Sequence, residues 1–225
     1  MLPKEHLAIL FDFDGVLAAT MEEHYKSWKK SLGLYGAEIT RDEYFALEGM
    51  NLDGIAKHFC KKYKIDQSHR AEIVRKKEKH FMKITKFKFY PRVKSLIKLL
   101  KREKIPTAIV SAAFYSRLIK TAPKDFLKMF SAVVSGDMTK RGKPFSDPYT
   151  FAAGKLGINI KNCIVVENSP LGVKSAKNAG AYCIAILSTV DPKLLKNADE
   201  IISSFKDLTR SAAINNLINR QDDNF

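Results

Sequence analysis

A chain of 225 residues with 45% apolar side chains can fill one core of moderate size, or a core carrying an inserted subdomain. No apolar run approaches the roughly 18 residues a membrane helix needs, and the three cysteines, Cys60, Cys163 and Cys183, show no C-x-x-C pairing, which argues against a disulfide framework or a zinc site. The net charge of +15 raises nucleic acid as a partner, but eighteen Lys or Arg against four Asp or Glu, an excess of 14, fall between residues 57 and 104 within helical patterns, where a charge run is ordinarily a solvated face.

In chain order, Met1 to His6 show no signal-peptide pattern, so a soluble, unprocessed protein is expected, the cysteine usage fits a reduced cytoplasm, and a monomer is expected. Ala8 to Phe11 follows as a short apolar run, predicted to be a buried strand, and directly after it stand Asp12, Asp14 and Gly15. Residues just past the carboxyl edge of an open α/β sheet are where such folds keep ligands. Two carboxylates held that close repel and call for a cation, of which magnesium is the natural choice among hard ions with oxygen ligands. One acid can then act as nucleophile and the other as general acid and base. Asp-x-Asp-Gly also suits an ordinary surface turn.

From about residue 21 to 86 the periodicity is helical throughout, with stripes at Tyr25, Trp28 and Leu32, at Tyr44 to Leu47, at Ile55 to Phe59 and at Ile73 to Ile84. Beyond it, β-branched runs at Pro106 to Ser111, Ala132 to Ser135, Cys163 to Val166, Tyr182 to Leu187 and Glu200 to Ile202 alternate with helices centred near residues 97, 118, 151, 175 and 208. Strands alternating with helices predict a doubly wound parallel sheet. The α/β core then comprises residues 1–18 and 88–225, and an all-helical cap, residues 19–87, interrupts it beside the acidic pair, where closure excludes water. The polar tail from Asn219 to Asn224 is expected to fray.

Three other predicted strand ends carry suitable chemistry. Ser111, with Ala112 and Ala113, offers a hydroxyl and backbone N–H groups for a phosphate oxygen, although a lone serine there also fits a helix N-cap. Lys143, between Gly142 and Pro144, sits in a stiff loop where a fixed cation can neutralise phosphate, and Asp147 reads as the N-cap of the next helix. Glu167 and Asn168 follow a buried run as two oxygen donors for magnesium, and Asn168 or Ser169 can cap the helix beginning near Pro170.

The ordered series Asp12-Phe13-Asp14-Gly15-Val16, Ser111, Lys143-Pro144 and Glu167-Asn168-Ser169-x-x-Gly172 resembles the four-motif signature of the haloacid dehalogenase superfamily, with its Rossmann-like core. The place of the helical block resembles the small cap of its beta-phosphoglucomutase-like and phosphatase branch. The resemblance implies that Asp12 attacks phosphorus, Asp14 serves as acid and base, and Ser111 and Lys143 hold the phosphoryl group. It also implies magnesium bound by Asp12, the Asp14 carbonyl, Glu167 and Asn168. Thr20 and the stretch from His24 to Lys29 are similar to the corresponding cap segment, implying that His24 couples closure to Asp14. Lys76 is similarly placed to a mutase lysine that meets a second phosphate.

Departures from the pattern matter as well. Gly49-Met50-Asn51-Leu52-Asp53 lacks an arginine to clamp a second phosphate, Asn168 replaces a frequent aspartate, and Ala19 replaces another. The resemblance thus implies a magnesium-dependent phosphatase of a small phosphorylated metabolite, plausibly a sugar phosphate. The alternatives are a beta-phosphoglucomutase-type isomerase and a non-catalytic or nucleic-acid-associated protein using the basic block.

Overall fold

The computed structural model describes residues 7–219, so the expectations for Met1 to His6 and for the tail beyond Asn219 lie outside the described residues. Strands β1 (Ala8–Phe11), β2 (Thr107–Val110), β3 (Ala132–Val134), β4 (Cys163–Glu167), β5 (Tyr182–Ile186) and β6 (Glu200–Ile202) form one parallel sheet in the order β3-β2-β1-β4-β5-β6. The chain builds outward from β1 through β2 to β3 and then crosses to the other side of β1 for β4. The order therefore reverses at β1, and the crevice at its carboxyl end is the ligand position of such sheets. Phe11 is in register with Val166, which brings Asp12 level with Glu167, and the Asp12 N–H donates to the Val166 carbonyl at 2.9 Å.

Alternation along the strands supplies two cores, because helices cover both faces of a parallel sheet. Ile9, Phe11, Ile109, Ile164 and Val166 face one layer, where α5 (Val93–Arg102) contributes Val93, Leu96, Ile97 and Leu100 at helical spacing and α10 (Ala212–Asn219) contributes Ile214 and Leu217. The opposite face is built from smaller residues, Ala8, Ala108, Cys163, Cys183 and Ala185. There α8 (Asp147–Leu156) and α9 (Pro170–Ala179) pack closely through Tyr149, Ala152, Val173 and Ala176. The short helices α6 (Tyr115–Thr121) and α7 (Lys124–Leu127) connect β2 to β3.

Between β1 and α5 lies the helical cap: α1 (Met21–Gly33), α2 (Arg41–Phe45), α3 (Leu52–Lys62) and α4 (Arg70–Ile84). These helices bury a separate apolar cluster that includes Trp28, Leu32, Phe59 and Ile73. The two crossings between cap and core run side by side. Ala18 pairs antiparallel with Phe89, the Ala19 N–H donates to Lys88 at 2.9 Å, and the Tyr90 N–H donates to Leu17 at 3.2 Å. Of the eighteen basic residues between 57 and 104, only Lys77 is buried.

Local corrections have simple causes. Pro106 cannot donate to a ladder and stays outside β2. The segment around residue 208 is a 3₁₀ turn, Phe205–Arg210, whose buried Phe205 and Leu208 sit three apart as that geometry requires, and the α-helix follows it. Ser146, not Asp147, occupies the N-cap of α8, and Asp147 pairs with Arg141. Ser111 caps no helix, since α6 begins at Tyr115 with Phe114 at the N-cap.

Candidate active site

The carboxyl edge of the sheet gathers one cation and two acids from distant parts of the chain. Lys143 Nζ donates to Asp12 Oδ1 and to Glu167 Oε1, both at 2.5 Å, and reaches the Val110 carbonyl at 3.3 Å. All three side chains are at least nine-tenths buried. Glu167 is saturated: Oε1 also accepts from the Tyr149 hydroxyl at 2.7 Å, and Oε2 accepts from the Asn168 and Ser169 N–H groups and the Ser169 hydroxyl. A carboxylate offers about four lone-pair positions, so Glu167, expected as a metal ligand, is occupied as the anchor of Lys143. Gly172 permits this, because a Cβ there would lie 1.8 Å from Glu167 Oε1. Ser169 does cap α9, its hydroxyl accepting from the Gly172 N–H at 3.0 Å.

Burial pushes Asp12 up to about 8; Lys143 opposes the shift, and the neighbouring charge of Glu167 adds to it. Burial works against the charge on Lys143 too, but the two carboxylates win and raise its pKa. This half of the site is short of positive charge.

Asp14, two residues on, is in the opposite condition. Its Oδ1 accepts from the Thr20 hydroxyl at 2.5 Å and faces His24 Nε2 at 3.2 Å, while Arg117 Nη2 donates to Oδ2 at 2.7 Å. Burial pushes Asp14 upward, yet the Arg117 charge and then His24 overcome it and hold the carboxyl well below the usual range. Lys77 Nζ lies 2.9 Å from His24 Nδ1 and Arg117 Nη1 lies 2.9 Å from His24 Nε2, so a cation faces each ring nitrogen. Burial, then the Lys77 charge, depresses His24 to about 3 and keeps it neutral. Its ring stacks on Phe81 at 4.0 Å, and Glu78 completes the cluster by accepting from Lys77 at 2.7 Å and lying 3.8 Å from Arg117 Nε.

Cap and core meet again at Glu48, in the turn after α2, whose Oε2 accepts from Asn168 Nδ2 and from the Thr189 hydroxyl, each at 2.8 Å. Burial, with the nearby charges of Asp12 and Glu167 adding to it, pushes Glu48 well above the carboxylate range. The cavity between them is about 60 Å³ and is lined by Asp12, Asp14, His24, Lys77, Ser111 and Arg117, among others. Ala112 lines it too, and the Ala113 N–H donates to Ser111 Oγ at 3.1 Å.

The structure thus brings together Asp12, Asp14, His24, Ser111, Ala112, Lys143, Glu167 and Asn168. Lys76 lies apart, paired with Glu72 at 3.0 Å and over the Tyr35 ring. Its neighbour Lys77 occupies the cavity wall instead, and one signal could have found it: Ile73, Lys77 and Phe81 follow at intervals of four along the buried stripe of α4. Arg117, between Ser116 and Leu118, and Glu48, between Leu47 and Gly49, carry no comparable mark, since neither stands at a predicted strand end.

Comparison with known proteins agrees with this geometry. Beta-phosphoglucomutase of Bacillus subtilis is 26% identical over 215 residues, covering 90% of this chain and 91% of that protein. Hexitol phosphatase A of Escherichia coli is 27% identical over 203 residues, covering 89% of this chain and 92% of that protein. The solved structure of CbbY from Rhodobacter sphaeroides in complex with xylulose-(1,5)bisphosphate superposes with a TM-score of 0.78 at 26% identity, over 90% of this chain and 96% of that one. Residues 9–186 match the haloacid dehalogenase-like hydrolase family, with all the strand-end groups described above inside the match, and the chain belongs to that family.

Proposed function

We propose that the chain is a magnesium-dependent phosphomonoesterase of small phosphorylated metabolites, with sugar phosphates as the foremost class. The observation that carries this reading is the buried Lys143 bridge between Asp12 and Glu167 at the strand-order reversal, beside a second acid held in a contrasting charge state. Relatives named as phosphatases of hexitols, phosphorylated carbohydrates and fructose 1-phosphate support it.

The donors facing the cavity suit a hard cation. Asp12, Asp14 and Asn168 offer only oxygen as ligand atoms, and Asp12 is pushed up for want of positive charge. Magnesium commonly takes one or two carboxylates and retains water, and Asp12 with the oxygens of Asp14 and Asn168 can supply such a set. When bound, the ion would neutralise charge on the phosphoryl oxygens, held by the Asp12 carboxylate, the Asp14 carbonyl and the Asn168 side chain.

In the reaction itself Asp12 attacks phosphorus, the ester P–O bond breaks, and the leaving oxygen takes a proton from Asp14. Water then gives a proton to Asp14 and attacks phosphorus, and the Asp12–P bond breaks to release phosphate. Lys143 stays on Asp12 and steadies the transferring group, with Ser111 and its neighbouring N–H groups holding phosphoryl oxygens. The ionised Asp14 is ready for the water step. Its acid role requires Arg117 to release it as substrate enters, and a cavity of about 60 Å³, room for roughly two waters, demands the same opening.

Phosphate release from a panel of hexose phosphates, nucleotides and phosphoglycolate, titrated with magnesium and reversed by chelator, tests the reading. Interconversion of glucose phosphates without hydrolysis would instead establish the mutase alternative, which the absence of a basic side chain from Gly49 to Asp53 disfavours.

A further inference from the structure

The core edge lacks a carboxylate at position 168, and a carboxylate from the cap stands beside the gap. Glu48 is 3% exposed and comes from 120 residues away, yet Asn168 Nδ2 and the Thr189 hydroxyl both donate to its Oε2. Those donors fix the orientation of the carboxylate and use one of its oxygens. The other, Oε1, is buried with no hydrogen-bond partner among the described residues, in the wall of the cavity that Asp12 and Asp14 also line. A buried carboxylate oxygen without a donor is costly unless a cation meets it. Gly49 brings the turn this close: its φ is +84°, and a Cβ there would lie 2.7 Å from Ser169 Oγ.

We infer that Glu48 is a cap-borne ligand of the divalent cation, supplying through Oε1 the carboxylate that Asn168 does not, so that cation binding draws the cap onto the core. The inference rests on the magnesium-dependent reading above. Asp12 and Glu48 together make the two carboxylates that magnesium commonly takes. The Asn168 amide and Thr189 hydroxyl aim the carboxylate from behind, as outer partners of metal ligands do, and Asn168 keeps its own Oδ1 as an acceptor.

Calorimetric titration of the full chain with magnesium chloride alone, without substrate, provides the test. Glu48→Gln keeps an oxygen to accept from Asn168 and Thr189 but removes the charge, and it weakens magnesium by roughly 10–100-fold. Adding Asn168→Asp to that variant returns a carboxylate to the same place and recovers most of the loss. Small-angle scattering shows a magnesium-induced compaction in the parent chain that Glu48→Gln lacks. Equal magnesium affinity in the parent and Glu48→Gln reduces Glu48 to a clasp and overturns the inference while leaving the phosphatase reading intact. A parent chain that binds no magnesium overturns both. Should Glu48→Gln fail to fold, Thr189→Val, which strips one donor from Oε2, decides: about tenfold weaker binding supports the inference and unchanged binding overturns it.

Discussion

Asp12 and Asp14 are two residues apart, of one chemical type and in one cavity, yet the surroundings drive them in opposite directions. Asp12 belongs to a half built wholly by the core, where one lysine serves two buried acids and burial lifts the carboxyl to about 8. Asp14 belongs to a half assembled across two layers, with Arg117 from the core and His24, Lys77 and Glu78 from the cap, and there the Arg117 charge, followed by His24, outweighs burial and holds the carboxyl well below its usual range. The charge state of each acid is therefore set less by its own motif than by the cation its neighbours supply, Lys143 shared between two acids for Asp12 and Arg117 for Asp14. The first half draws on core residues alone; the second adds His24, Lys77 and Glu78 of the cap to the core pair of Asp14 and Arg117.

Breaking the core half has the largest consequences. Asp12→Asn removes the proposed nucleophile while keeping a partner for Lys143, so turnover should fall at least ~10³-fold with an unchanged thermal melt. Retained phosphate release would take Asp12 out of that role. Lys143→Met leaves Asp12 and Glu167 buried without their cation, which costs roughly 3–5 kcal/mol and is read as a lowered urea midpoint. A midpoint equal to the parent's would mean that the bridge contributes little to the core half.

The same contrast explains what the sequence could show. Asp12, Ser111 and Glu167 are legible because each ends a short apolar run, and Lys143 because it stands between Gly142 and Pro144 in the loop after β3; parallel strands bring such positions to one edge whatever the rest of the chain does. The sheet order follows from the same alternation of strand and helix. Arg117 and Glu48 are illegible because their partners, Asp14 and Asn168, stand 103 and 120 residues away, and no local periodicity encodes the distance between a cap turn and a core loop. Glu167 shows a subtler limit. Its position is readable, but its occupation by five donors depends on Tyr149, Lys143 and the tight approach of Gly172.

The cap half is sharpened by Lys77. Buried among Trp28 and Phe81 and facing His24, Glu78 and Arg117, it is depressed to about 8, chiefly by burial, with Arg117 adding to the shift and Glu78 opposing it. Between pH 8 and the ordinary lysine value of 10.5, the unfolded chain keeps this proton and the folded chain has lost it. The unfolded state then binds more protons, so stability rises with pH through this window; below pH 8 both states are protonated and Lys77 adds no slope. Unfolding free energies of the parent and Lys77→Met, compared from pH 7 to 10.5, should diverge in the parent's favour by ~2–3 kcal/mol. Parallel curves would show that Lys77 keeps its ordinary affinity for protons.

The smallest effect belongs to the neighbouring lysine. Lys76 and Lys77 are adjacent on α4, but a helix turns about 100° per residue, so one side chain enters the cavity and the other reaches Glu72 at the surface. An exposed pair of that kind is worth ~0–1 kcal/mol, and the ammonium also lies 5.2 Å from the Tyr35 ring centroid. Lys76→Ala should therefore lower stability by less than ~1 kcal/mol and leave kcat/KM for the preferred phosphate ester unchanged. A rise in KM with kcat intact would place Lys76 on the substrate after all, as the family resemblance implies, and would require α4 to rotate its neighbour out of the site when the cap closes over a bound ester.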